Sequence, residues 1–148
     1  MTRFQPGTAR ILLVEDNAGD ALLAREALRD AKMTNALDWV QDGAEAIDFL
    51  RRRGPHAEAK RPDLILLDLN MPRMDGWEVL AEIKNDPDLR RIPVVVLTTS
   101  QSEPDVRRSY DLHANCYICK PIGFKEYVQA VKAIEHFWFD LALLPEAP

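Results

Sequence analysis

Two stretches of the chain, Leu64-Ile65-Leu66-Leu67 and Pro93-Val94-Val95-Val96-Leu97, hold no polar side chain. A strand with no polar face has nothing to turn toward water, so it belongs inside a parallel sheet that helices cover on both sides. More mixed apolar runs occur at Arg10 to Val14, Leu37 to Gln41 and Cys116 to Cys119. After each run the apolar residues change to helical spacing. Leu23, Ala24, Ala27, Leu28 and Ala31 mark one helix, Ala46, Ile47 and Leu50 a second, and Val79, Leu80 and Ile83 a third. Val106 and Tyr110 mark a weaker fourth, and Phe124, Tyr127, Val128, Val131 and Ile134 a fifth. Strand and helix alternating in this way predict a doubly wound α/β sheet with right-handed crossovers. At 148 residues the chain is the size of one domain, with a core at about 10–137, an extension at 138–148, and a polar loop from Arg51 to Arg61.

The net charge of -5 and the lack of a long Lys/Arg run exclude the electrostatic footprint of a nucleic-acid-binding module. Residues 1–10 contain no apolar h-region and no run approaches a membrane span, so a cytoplasmic protein free of the membrane is expected. Cys116 and Cys119 sit on a strand, where positions i and i+3 point to opposite faces, and read as reduced thiols. His56, His113 and His136 have no metal-ligand spacing.

In an open parallel sheet, chemistry gathers outside the carboxyl ends of the strands. There the chain places Glu15-Asp16-Asn17 after the first run, Asp68 after the third, Thr98-Thr99-Ser100 after the fourth, and Lys120-Pro121 after the fifth. Taken singly, these residues make good turns and helix caps. Together, the acids would repel one another unless a hard divalent cation with oxygen ligands joined them, which suits Mg²⁺. Asp68 can then attack a phosphoryl group, with the metal and Lys120 neutralising its oxygens and Thr98 donating a hydrogen bond. The product is an aspartyl phosphate.

With these residues in place, the chain resembles the receiver domain of a two-component response regulator over about Arg10 to Phe137. The resemblance implies a flavodoxin-like sheet of order 2-1-3-4-5 with an extended C-terminal helix. It also implies Asp68 as phosphoacceptor, with Glu15, Asp16, Asp68 and the backbone carbonyl of Asn70 as Mg²⁺ ligands. Thr98 matches the switch hydroxyl, Lys120 the lysine of the pattern, and Tyr117 the aromatic switch position that turns inward on phosphorylation. Lys120-Pro121 matches a cis peptide, and Asn70 and Ser100 are expected to tune water access. A receiver is a phosphoacceptor that catalyses only its own phosphorylation and dephosphorylation.

The tail, Phe137, Trp138, Phe139, Leu141, Leu143 and Leu144, spreads apolar side chains around most of a helix, more than one sheet face can cover. Phe137, Trp138, Phe139 and Leu141 are therefore expected to form a homodimer contact. The tail, with Ser109 to His113 and Asn115 to Ile118, is similar to the small receivers that serve bacterial and cyanobacterial phytochromes. That likeness implies a phytochrome-type histidine kinase as donor. Too few residues follow the fifth helix for an output domain, so output is expected through a downstream phosphotransfer or effector protein. The rivals are an aspartate-nucleophile phosphatase and an unphosphorylated scaffold with the receiver fold. The phosphatase needs an acid two residues after its nucleophile, where this chain has Asn70. No GxxxxGK[ST] or GxGxxG pattern follows a strand.

Overall fold

The computed structural model describes residues 9–29 and 35–145. Ala31, residues 1–8 and residues 146–148, which the sequence reading assigns to the first helix, the domain and its extension, lie outside the described residues. The elements alternate as β1 (Ala9–Val14), α1 (Ala18–Arg29), β2 (Asn35–Val40), α2 (Gly43–Leu50) and β3 (Leu64–Leu67). They continue as α3 (Gly76–Asn85), β4 (Val94–Thr98), α4 (Glu103–Asp111), β5 (Cys116–Cys119) and α5 (Phe124–His136). Neighbouring strands pair in parallel in the order β2-β1-β3-β4-β5, the doubly wound sheet expected from the alternation.

Strand alternation divides the core into two layers. Leu12, Val14, Ile65, Leu67, Val94 and Val96 face one way and pack with Val79, Leu80 and Ile83 of α3 and Ala46, Ile47 and Phe49 of α2. Ile11, Leu13, Leu64, Leu66, Val95 and Leu97 face the other way, against Ala21, Ala24, Ala27 and Leu28 of α1 and Tyr127, Val131 and Ile134 of α5. The alanines let α1 sit close to both the sheet and α5. Helix starts are set by side chains that accept otherwise unpaired backbone N–H groups: Asp42 from Glu45, Asp75 from Glu78 and Ser102 from Asp105. Ser102 thus takes the capping role that the sequence left open among Thr98, Thr99 and Ser100. The fourth helix is weakly marked because its fully buried residue is Ser109, whose hydroxyl donates to Asp105 O at 3.0 Å, while Tyr110 is exposed.

The tail departs from a simple helical extension. Regular α-helix ends at His136, and Phe137–Leu141 form a π-helical turn closed by Ala142 N donating to Phe137 O at 2.8 Å. The wider turn aims Phe139 into the α1/α5 layer of its own chain, where it is 1% exposed. Trp138 and Leu144 pack partly against the same layer, whereas Phe137 and Leu141 remain 50% and 62% exposed. Phe139 therefore drops out of the expected dimer contact, because intramolecular burial already satisfies it. The Lys120–Pro121 peptide is also not cis, since no cis bond occurs among the described residues. An X–Pro bond loses only part of its trans preference, so the dipeptide alone does not select the cis form.

Lys84 on α3 fixes the strands that carry the site. Its ammonium donates to Arg90 O (3.0 Å), Ile92 O (2.9 Å) and Asn115 Oδ1 (3.0 Å). Asn115 Oδ1 also accepts from Val94 N at 2.9 Å, so one knot joins α3, the entry to β4 and the entry to β5. Burial lowers the Lys84 pKa to about 8, so desolvation outweighs what the three oxygens return. Lys84→Met is expected to lower unfolding free energy by about 1–3 kcal/mol, the loss of charged hydrogen bonds to partly buried acceptors, read from urea denaturation.

Candidate functional site

The parallel register brings the strand ends to one rim. Val14 pairs with Leu67, so Glu15 and Asp68 emerge at the same level. Leu67 pairs with Val96, which places Thr98 one residue beyond Asp68, and Thr98 pairs with Cys119 immediately before Lys120. Lys120 N then donates to Thr98 O at 2.7 Å. Strand ends rather than loop conformations therefore position the buried members of the site.

Glu15, Asp68, Thr98 and Lys120 are all buried. Lys120 Nζ donates to Glu15 Oε1 at 2.5 Å, Asp20 Oδ2 at 3.0 Å and Asp68 Oδ2 at 3.3 Å. Its proton is held more tightly than in water: burial works against the charge, but the Glu15 hydrogen bond and the Asp68 and Glu15 charges outweigh it. Glu15 is pushed up by burial and by the neighbouring Asp68 charge, against the pull of Lys120. Asp68 Oδ1 accepts from Asn70 N at 3.3 Å. Asn70 itself is exposed at the lip.

One oxygen each from Glu15, Asp16 and Asp68 lies within 4.8 Å of the others, with Asp16 exposed toward the mouth. Three carboxylates so close, two of them buried, form an all-oxygen donor set that fits a hard divalent cation. Asp20, which the sequence reading missed, belongs to the charge cluster through Lys120. Its only signal in sequence was an acid one helical turn after Asp16.

Thr98 Oγ1 is buried and has no hydrogen-bond partner among the described residues, an orphaned donor at the rim. Tyr127 is a second residue the sequence reading took only for core. Its hydroxyl is buried with no hydrogen-bond partner among the described residues, and burial followed by the Glu15 charge raises its pKa. Ser100 turns away from the rim, its hydroxyl donating to Asp105 Oδ2 at 2.6 Å. Tyr117 already packs on the α2/α3 layer, with its hydroxyl donating to Ser100 O at 2.8 Å. Cys116 and Cys119 are free thiols on β5.

The loop after Asp68 leaves no room behind it. A Cβ on Gly76, the first residue of α3, would stand 2.3 Å from Asp68 O and 2.6 Å from Leu69 Cα. Backbone cannot yield as a flexible side chain can. Gly76→Ala is expected to displace the Asp68 backbone and to cost about 1–3 kcal/mol of stability, measured by urea denaturation.

Comparison with known proteins places this geometry among proteins of one kind. Residues 11–132 match the model of the response regulator receiver domain. The response regulator Rcp1 of Synechocystis sp. is 50% identical over 137 residues, 93% of each chain. The structure of the phosphorylated cyanobacterial phytochrome response regulator RcpA superimposes with a TM-score of 0.91 at 54% identity, covering 93% of this chain and 99% of that one. The Mn²⁺-bound form of Rcp1 gives 0.89 at 49% identity, with the same coverage. Among the described residues no helix is long and apolar enough to cross a membrane. With its fold, its rim of acids around a lysine and most of its length matched in this way, the chain belongs to the response regulator receiver domain family.

Proposed function

We propose that Asp68 accepts a phosphoryl group from a phytochrome-type histidine kinase, in the cytoplasm, and that the chain signals by the change this produces. The observation that carries the reading is the Lys120 ammonium held against the buried Asp68 carboxylate, with the unpartnered Thr98 hydroxyl at the same rim. The kinase class follows the names of the similar proteins, RcpA being a phytochrome response regulator. In the transfer, an Asp68 oxygen attacks phosphorus, the bond from phosphorus to the donor's imidazole nitrogen breaks, and its electron pair leaves with the donor. Lys120 neutralises a phosphoryl oxygen and Thr98 donates to another. Glu15, Asp16, Asp68 and the backbone carbonyl of Asn70 would hold Mg²⁺, which would supply charge neutralisation at the phosphoryl oxygens. The same groups serve the domain's own dephosphorylation.

Phosphorylation adds about -1.5 to -2 charges and three acceptor oxygens, the differential contacts a two-state switch requires. Thr98, whose hydroxyl has no partner among the described residues, moves toward them. Tyr117 already holds the inward position through Ser100 O, so its part is to lock that position rather than to travel to it. The signal passes to a downstream phosphotransfer or effector protein. The residues of 10–137 act as the single receiver core, with 138–148 as its extension. Incubation with Mg²⁺ and acetyl phosphate is expected to add one phosphate to the intact chain and none to Asp68→Asn, by mass spectrometry. No adduct on either leaves an unphosphorylated scaffold.

The extension supports a symmetric homodimer through Phe137, Trp138 and Leu141, without Phe139. Phe137 and Trp138 border an apolar groove of about 200 Å³ with Cys116 and Ile118 of the edge strand β5 and Ala133 and Ile134 of α5. An edge strand beside uncovered aromatics is a surface that a second copy can satisfy. Phe137→Ser with Leu141→Ser is expected to convert a dimer to a monomer in light scattering, leaving the melting curve of the monomer unit nearly unchanged because both side chains are exposed.

A further inference from the structure

Lys120 spends its three protons on three carboxylates, and the phosphoacceptor receives the longest of the contacts. To reach a phosphoryl group on Asp68, the ammonium has to give up at least one partner. The three partners are not equally releasable. The Glu15 side chain is 2% exposed and that of Asp68 is 9% exposed, so neither can exchange Lys120 for water. The Asp20 side chain is 28% exposed and stands on the first turn of α1, where water can replace the lysine at little cost.

Asp20 is also held in place independently of Lys120. Its backbone N–H donates to Asn17 Oδ1 at 3.0 Å, fixing the start of α1, and Ala21 and Ala24 pack the helix into the layer that contains Tyr127 of α5. The carboxylate thus stands at a fixed station beside the lysine whether or not the lysine occupies it.

We infer that Asp20 is a positioning residue that holds Lys120 partly away from Asp68 in the unphosphorylated protein and yields it to the phosphoryl group, thereby restraining phosphorylation. The inference rests on the reading of Asp68 as phosphoacceptor. It assigns Asp20 no contact with phosphate or metal. Its effect is competition for one cation, so removing its charge while keeping its shape releases the lysine.

The test is Asp20→Asn, with phosphorylation by acetyl phosphate and Mg²⁺ followed over time by intact mass. The rate is expected to rise about twofold to fivefold, the scale of a partly exposed ion pair. A contact pair resists screening, whereas general repulsion of an anionic phosphodonor fades at 1 M salt, where the Debye length is about 3 Å. The increase is therefore expected to persist at 1 M KCl. In a Lys120→Gln background, Asp20→Asn is expected to change nothing, because the two residues act as one unit. An unchanged or slower rate in Asp20→Asn, or an increase that disappears at 1 M KCl or survives in the Lys120→Gln background, overturns the inference. Should the Lys120→Gln protein not fold, or take up no measurable phosphate, the salt comparison decides alone. A wild-type chain that takes up no phosphate at all refutes the reading of Asp68 instead, which keeps the two failures apart.

Discussion

Lys120 is buried and paired with three carboxylates, and the cluster of charges at the strand ends depends on that pairing. Glu15 and Asp68 are both withdrawn from water, and two buried anions side by side are unfavourable without a shared cation. The lysine relieves part of this repulsion and leaves the rim acidic overall, with Asp16 still turned to solvent. The same imbalance that would destabilise an isolated pocket makes this one an all-oxygen donor set that fits a divalent cation. Stability and chemistry are coupled through one ammonium group.

Parallel register holds the pocket in shape. Glu15 and Asp68 are level because Val14 and Leu67 are paired, and Lys120 follows Thr98 because Thr98 and Cys119 are paired. These strands are apolar on both faces, so slipping one of them by a residue would disturb two packed layers at once. Gly76 brings α3 against the backbone of Asp68, and the Lys84 knot ties the entries of β4 and β5 to the same helix. α3 thus supports Asp68 from behind and aligns the strands that bear its partners.

On the far side of the sheet, α5 links the pocket to the exposed tail. Tyr127 lies close enough to Glu15 and Lys120 to feel their charges, while a few turns later the π-helical turn folds Phe139 into the same layer. The aromatic tail is therefore divided between self-packing and exposure. Phe139 belongs to the monomer, and Phe137 and Leu141 face outward.

The sequence by itself determined the sheet, because two wholly apolar strands can be covered only by helices on both faces. It also determined which strand ends bear acids, a hydroxyl and a lysine, since chain order and strand period are local properties. Asp20 was not legible: it lies within a helix, and its partner is 100 residues away, brought there only by the packing of α1 beside the end of β5. The fate of the tail was equally closed to a reading of helical spacing, because a π-helical turn changes which side chains face inward. The isomer at Pro121 and the inward station of Tyr117 likewise depend on what surrounds them. Local pattern fixed the elements and the residues offered at their ends. Tertiary contact decided which charges meet and which aromatics stay exposed, because both depend on distances between segments that the chain does not place near one another until it folds.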